Sequence, residues 1–287
     1  MLYVVACFAG VSAVFAFGAY SSARSAIDSL RQEWEFLHRE GGYSFERAIG
    51  RGTDPSDSPL KETWESASQA VANLHPFQST TNLLQVLCFV IAPLVFFTYG
   101  AIAATRDAHY KTLKFRAVRE GRQRLFVSQA VSLVLVVAAL TAAAFCIALL
   151  ISVILHLAVS GRVDTRGLEV PKDMMVTGPL PTMAMMFGTG VIFAFLGMSM
   201  ALIIGRPLYV VPVFLAGFFL VPVLGRFDPR NLLMAVAYPH LDFVGGFIPS
   251  APRPVPEFAA VLLLVIGAAV LLVLTYVVRS RRSHYVT

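Results

Sequence analysis

Seven cationic side chains crowd one short stretch of an otherwise apolar chain, "ATRDAHYKTLKFRAVREGRQRLF" at residues 104–126, with only two acids among them. Such a cluster supplies positive charge rather than paired acids and bases. It can therefore bind an anionic partner, either an acidic protein surface or lipid headgroups. The apolar segments on both sides must hold this charge in place, and they determine which partner can reach it.

The composition of those segments is typical of a polytopic membrane protein. Hydrophobic residues make up 57% of the 287 residues and charged residues only 14%, too apolar for a water-soluble globule. A hydrocarbon core of ~30 Å requires about 20 helical residues. Six stretches are long enough, which predicts an all-α protein with transmembrane helices at 2–20, 82–104, 126–159, 182–205, 208–225 and 258–278.

The distribution of Lys and Arg predicts that both termini are cytoplasmic. In that orientation the inside segments 105–124, 205–207 and 279–287 hold 11 of the 23 basic residues and two acids. The longer outside segments hold the other 12 basic residues together with 15 acids. Basic residues are retained on the cytoplasmic side, so the charge pattern favours this topology. A removed signal peptide is the alternative for 2–20, although no basic residue precedes that apolar run.

The sequence predicts no catalytic site and no metal site. None of the six spans contains Asp, Glu, Lys or Arg, which argues against an ion-driven carrier and an intramembrane hydrolase. A GxxxxGK[ST] phosphate loop is also missing, so ATP binding needs another chain. The cysteines and histidines show no ligand spacing. Met183 and its neighbours could be a copper path, but adaptable apolar surface is the favoured interpretation.

Two apolar stripes predict an extracellular helical hairpin between the first and second spans, in residues 21–81. Ile27, Leu30, Trp34 and Leu37 recur at steps of three and four, and a similar stripe follows from Leu60. Antiparallel packing would pair Leu30 with Ala67 and Trp34 with Trp64. The hairpin would continue the first span by roughly 25 Å.

The last outer loop predicts a short helix between the fifth and sixth spans. Asp228 can cap its start and Pro229 suits its first position. About ten residues cannot cross a bilayer, so the helix should be reentrant or interfacial, with a plain surface loop as the alternative. Its candidate functional residues are Asp228, Leu232, Leu233 and Tyr238.

The basic segment 105–125 resembles the first cytoplasmic loop of type-2 ABC exporter permeases. Arg106 and Asp107 match the first element of that loop. Thr112 and Leu113 match a Gly-Thr-Leu element, with Lys111 standing where the family tends to have Gly. An Arg-rich return into the third span follows. The segment itself predicts a short amphipathic helix capped by Thr105, and contact with anionic lipid is the alternative.

The resemblance implies the permease subunit of an ATP-driven exporter in the bacterial plasma membrane. Such a permease pairs with a second one, identical or homologous, and two copies of a separate ABC ATPase subunit supply ATP and Mg. It would itself hold no cofactor, and no nucleic acid would be a partner. The residues implied to contact the ATPase are Arg106, Asp107, Lys111, Thr112, Leu113, Arg116 and Arg119.

Two other functions stay open. A non-transport membrane scaffold would use the outer hairpin to bind an envelope partner and the basic loop to hold lipid. An ion-driven carrier is disfavoured by the missing charges in the spans. The apolar spans favour a lipid, peptide or amphiphilic compound as cargo. The predicted organisation is helix 1 at 1–20, the hairpin at 21–81, and helices 2 to 6 at 82–287.

Overall fold

A computed structural model describes residues 2–41, 45–49, 59–109, 122–160, 178–221, 223, 225–241, 243 and 249–282. Regular structure within these ranges is helical, with no strand. There are two π-helical turns among them: Leu87–Ile91 lies between two α-helices, and Ala216–Leu220 ends a third. The α-helices are α1 (Leu2–Gly41), α2 (Phe45–Ala48), α3 (Lys61–Ala72), α4 (Pro76–Val86), α5 (Ala92–His109), α6 (Arg122–Ser160), α7 (Pro179–Ile204), α8 (Pro207–Leu215), α9 (Pro229–Ala237) and α10 (Glu257–Arg282).

Five helical stretches among the described residues are long and apolar enough to cross a membrane. They run over Tyr3–Arg39, Pro76–Arg106, Gln123–Leu157, Pro179–Ile204 and Glu257–Val278. Their number and length are compatible with a multi-pass membrane protein.

The apolar helix at the place of the predicted fifth span, 208–225, is shorter than the sequence predicted. The apolar helix at this place covers only Pro207–Leu220 and falls below the length of a span. Pro212 lies inside α8 and removes one backbone donor from it. Val221 is already extended, with φ −82° and ψ 126°, as expected for a residue that precedes a proline. Local backbone chemistry therefore ends this helix early.

The first two long stretches compare differently with the predicted spans. The first helix runs unbroken to Gly41, so the predicted first span continues directly into the first half of the predicted hairpin, as the sequence predicted. The second long stretch begins at Pro76, six residues before the predicted start at 82. Pro at the first helical position needs no donor, which explains why the helix can begin there.

The described residues form two compact units. The first unit contains those within 1–83 and 145–179, namely α1 to α3, the start of α4 and the end of α6. The second contains those within 84–144, 180–243 and 248–287, including α5 and α7 to α10.

Candidate functional site

The basic segment implied to contact an ATPase lies mostly outside the described residues. Helix α5 ends at His109 and α6 begins at Arg122. The structure does not describe the interval between these two helices, which contains five of the implied contact residues: Lys111, Thr112, Leu113, Arg116 and Arg119. The two remaining residues of this set, Arg106 and Asp107, lie in the last turn of α5.

The prediction that Thr105 caps a short helix in the basic segment is wrong. Thr105 does not cap a new helix, because α5 continues past it. Its hydroxyl instead donates to the carbonyl oxygens of Ala101 at 3.0 Å and Ile102 at 3.2 Å, one turn earlier in the same helix. Arg106, one residue later, is exposed and is available to a partner.

In the first unit, the second half of α1 packs against α3 around one apolar cluster. Leu30, Trp64 and Ala67 are buried members of this cluster, and Trp34 packs against it. The structure thus brings together the four residues that were predicted to pack in this segment. The ring of Trp34 stands edge-on to Phe45, with 5.2 Å between the ring centroids and 88° between the planes.

The connection between α1 and α3 contributes to the same cluster, which the sequence analysis did not predict. Ala48 and Ile49, at the end of the four-residue helix α2, are buried in it. Leu60 is completely buried, and its backbone N–H donates to the carbonyl oxygen of Ala48 at 3.1 Å. An apolar Phe-x-x-Ala-Ile spacing in the connection was the available signal. Near the middle of α1, Ala23 forms a second, smaller cluster with Leu74.

In the second unit, the short helix α9 begins as the sequence predicted. Asp228 is its N-cap, and a side-chain oxygen of this residue accepts from the backbone N–H of Arg230 at 2.9 Å. Leu232 and Leu233 are each only 5% exposed, because α9 packs against α10. Tyr238 directly follows the helix and is half exposed, with its ring 5.9 Å from that of Phe243.

Arg230 ties the start of α9 to the end of the preceding helix, a role that sequence analysis missed. Its guanidinium forms an ion pair with Asp228 at 2.8 Å. The same group donates to the carbonyl oxygens of Phe218 at 2.8 Å and Val221 at 2.7 Å. Hydrogen bonds to Asp228 raise the pKa of Arg230. Arg230 thereby satisfies backbone acceptors that the premature end of the helix leaves without an intrahelical donor.

Asn231 fixes the chain that leads into α10. This side chain is 95% buried. Its amide nitrogen donates to the carbonyl oxygens of Arg226 at 3.0 Å and Arg253 at 3.3 Å, and its oxygen accepts from the Arg253 backbone N–H at 2.8 Å. A buried amide with three bonds holds two distant segments at fixed positions.

Four phenylalanines connect α5, α7 and α8 with the π-helical turn that follows α8. Phe97 stacks on Phe214 with 3.7 Å between the ring centroids. Phe193 lies edge-on to Phe214 at 5.7 Å and to Phe218 at 5.5 Å. The Arg230 guanidinium lies 5.7 Å from the centroid of the Phe218 ring. The Arg230 side chain, which binds Asp228 and the backbone oxygens of Phe218 and Val221, therefore lies against this aromatic cluster.

Helices α5 and α7 approach so closely that their backbones touch. A methyl group at Gly100 would lie 2.1 Å from the carbonyl oxygen of Ala194. Reciprocally, a methyl group at Gly197 would lie 2.0 Å from the carbonyl oxygen of Phe97. The small residues Gly100, Ala194 and Gly197 therefore allow the two helices to pack in close contact.

Among the described residues, no group of three or more His, Cys, Asp or Glu side chains could hold a metal ion. The methionines near the start of α7 differ in burial: Met186 is fully buried, and Met183 and Met185 are half-buried. Met174 and Met175 lie outside the described ranges.

Comparisons with protein-family models, with characterised proteins and with solved structures find no match for this chain. The helices themselves define the class: an all-helical chain, in the part described, with five helices able to span a membrane.

Proposed function

We propose that this chain is the permease subunit of an ATP-driven ABC exporter that moves a lipid, peptide or amphiphilic compound outward. A separate ATPase subunit, in two copies, supplies the energy with its own ATP and Mg. The chain works as a pair with a second permease and performs no covalent chemistry. Its place is the bacterial plasma membrane, with both termini in the cytoplasm.

The observation that carries this proposal is the basic segment between α5 and α6. Both helices are parts of long apolar stretches, and the segment 105–124, where the chain passes from one to the other, holds seven of the 23 Lys and Arg residues. Arg106 at the end of α5 is exposed. A charged connector at the ends of two spans is the position from which ATPase movement can be transmitted to the membrane helices. The order of its residues, which resembles the coupling loop of type-2 permeases, adds to this argument.

The outer helix α9 supports a second part of the proposal. Its nine residues measure about 13 Å and cannot cross a bilayer. The Asp228–Arg230 ion pair and the buried amide of Asn231 hold it in a fixed position. A short, firmly held helix of this kind is suited to close the outer mouth of a pathway, and Leu232 and Leu233 attach it to the rest of the unit.

The short helix Pro207–Leu220 places a condition on the six-span topology. Its 14 residues measure roughly 21 Å, less than the hydrocarbon core. Both termini lie on one side only if Val221 and the residues that follow it complete this crossing. The donors that Arg230 supplies to Phe218 and Val221 make such a non-helical end tolerable near the membrane.

A membrane scaffold is the second candidate, and the packed α1–α3 element favours it. That element has its own apolar cluster and carries an exposed aromatic residue, Phe36, on α1. Such a surface could bind an envelope partner without any transport.

Purification of the native complex separates the two candidates. The exporter proposal predicts that a Walker-type ATPase without membrane spans co-purifies from mild detergent in a 1:1 ratio with the permeases. Recovery of the intact chain with an envelope protein and without an ATPase would support the scaffold and contradict the exporter.

A further inference from the structure

Two histidines that are far apart in the sequence meet in the first unit. His75 directly precedes α4 and His156 lies near the end of α6. Their ring centroids are 5.9 Å apart, with 64° between the ring planes. His75 is exposed and His156 is half-buried, so an ion from solvent can reach both imidazoles. Neither residue has a role in the proposed export function.

The register of two antiparallel helices brings this pair together. One helical turn further along α4, the hydroxyl of Ser79 accepts from that of Ser152 on α6 at 3.1 Å, and both side chains are buried. Ser79 is four positions after His75, and Ser152 is four positions before His156. Four positions are about one helical turn, so the two contacts lie one above the other along the same helix–helix interface. The buried Ser–Ser hydrogen bond therefore fixes the distance between the two helices beside the imidazoles.

Neighbouring contacts anchor both histidines further. The backbone N–H of His75 donates to Ala72 at 3.0 Å, and its carbonyl oxygen accepts from Ser79 at 2.8 Å. Leu74 and Leu155, each one residue away from a histidine, both belong to the small cluster around Ala23. The two imidazoles are thus carried on backbone that is held in place on each side.

We infer that His75 and His156 bind one divalent transition-metal ion of the imidazole-preferring class, such as Zn²⁺. Each ligating nitrogen would lie about 2.0–2.1 Å from the ion. For a ring radius of about 1.1 Å, the two ring centres would then be roughly 5.2 Å apart at a tetrahedral angle and up to about 6.4 Å apart at wider angles. The observed 5.9 Å falls within this interval.

Water completes the coordination, because only two protein ligands are present in this pair. The site is consequently weaker than a four-ligand structural zinc site, and its ion exchanges with solvent. An ion held by both rings joins the start of α4 to the end of α6. Metal binding is therefore expected to stabilise this end of the unit, whether or not the chain is an exporter.

Zinc titration of the full-length, tag-free protein in detergent tests the inference. Competition against a chromophoric chelator is expected to show one Zn²⁺ bound per chain, unaffected by millimolar Mg²⁺, since hard cations prefer oxygen ligands. H75A and H156A should each weaken binding by about 10-fold or more, and the double variant should resemble either single one, because one ion needs both rings. H38A, which removes an exposed imidazole from α1, is the matched control and should bind as the native chain does.

A stability readout makes the test independent of affinity alone. Zn²⁺ should raise the unfolding temperature of the native chain and of H38A, and leave that of H75A unchanged. His75→Asn provides a second variant at this position, because Asn is well suited to the residue before a helix. Equal zinc binding by the native chain and the double variant would overturn the site, as would a loss in H38A as large as that in H75A.

Discussion

Two helix pairs in this protein are held together by opposite means. Where α1 packs on α3, large side chains fill the interface, with Leu60 fully buried and Trp64 only 8% exposed. Where α5 crosses α7, the two backbones are in direct contact, because Gly100 and Gly197 have no side chain and each faces a backbone carbonyl of the other helix. The first pair is held together by the packing of large side chains, and the second by close contact between the two helix backbones.

The difference follows from the surroundings that each pair is built for. Helix α3 exposes charged residues such as Lys61 and Glu65, so removing Trp64 from water provides the driving force for packing. Helices α5 and α7 belong to long apolar stretches. In lipid, apolar burial gives little driving force, and van der Waals contact between closely approaching backbones replaces it. Each pair should accordingly fail under a different kind of substitution.

The largest expected effect is the truncation of Trp64. Trp64→Ala removes the largest buried side chain of the α1–α3 cluster and should cost about 3 to 5 kcal/mol. Hydrogen exchange should show α3 opening while α5 and α7 remain protected. Phe36→Ala is the matched control, since this aromatic side chain is 58% exposed on α1. Equal effects of the two truncations would contradict the role of volume here.

The next effect is the addition of one methyl group to the α5–α7 crossing. Gly100→Ala and Gly197→Ala should each cost about 1 to 3 kcal/mol, because the new Cβ collides with backbone that cannot move alone. Thermal unfolding followed by size-exclusion chromatography in detergent measures the loss. Gly188→Ala, on the same helix α7, meets nothing within 4 Å and should be neutral or stabilising. If all three variants behaved alike, the backbone contact would not be needed.

A smaller effect is expected at the cap of α9. Asp228→Ala removes both the N-cap acceptor and the partner of Arg230, and should cost about 1 to 2 kcal/mol. Asp228→Asn retains a good cap and loses only the ion pair, so its loss should be the lesser of the two. The difference between the variants, measured by thermal unfolding, isolates the ion pair with Arg230. Identical losses would show that the cap alone matters.

Local patterns in the sequence predicted several of these elements, but they did not predict contacts between segments that are distant in the sequence. The three- and four-residue steps around Leu30 and Trp34 and the Asp-Pro start of α9 are short-range signals, and the structure shows the corresponding cluster and cap. The bonds of Arg230 to Phe218 and Val221 depend on how the chain turns back after α8, which no periodicity reports.

The end of the helix at the predicted fifth span and the pairing of His75 with His156 could not be predicted from hydropathy, for related reasons. Hydropathy alone extended the fifth span to residue 225, but Pro212 and the extended Val221 end that helix by backbone effects. His75 and His156 are 81 residues apart and meet only because α4 and α6 pack in one antiparallel register. Hydrophobicity indicates that helices form, whereas the partner of each helix depends on side-chain shape along its whole length.

The most direct test of the exporter proposal is ATP turnover by the reconstituted complex of permease and ATPase. The proposal predicts that Lys111→Glu combined with Arg116→Glu, in the basic segment between α5 and α6, abolishes stimulated turnover while the permease remains folded and inserted. A control reversal on α3, Lys61→Glu, should leave turnover unchanged because its exposed side chain lies outside that segment. Unchanged turnover and assembly in the double reversal would contradict the coupling role and favour contact of this segment with anionic lipid.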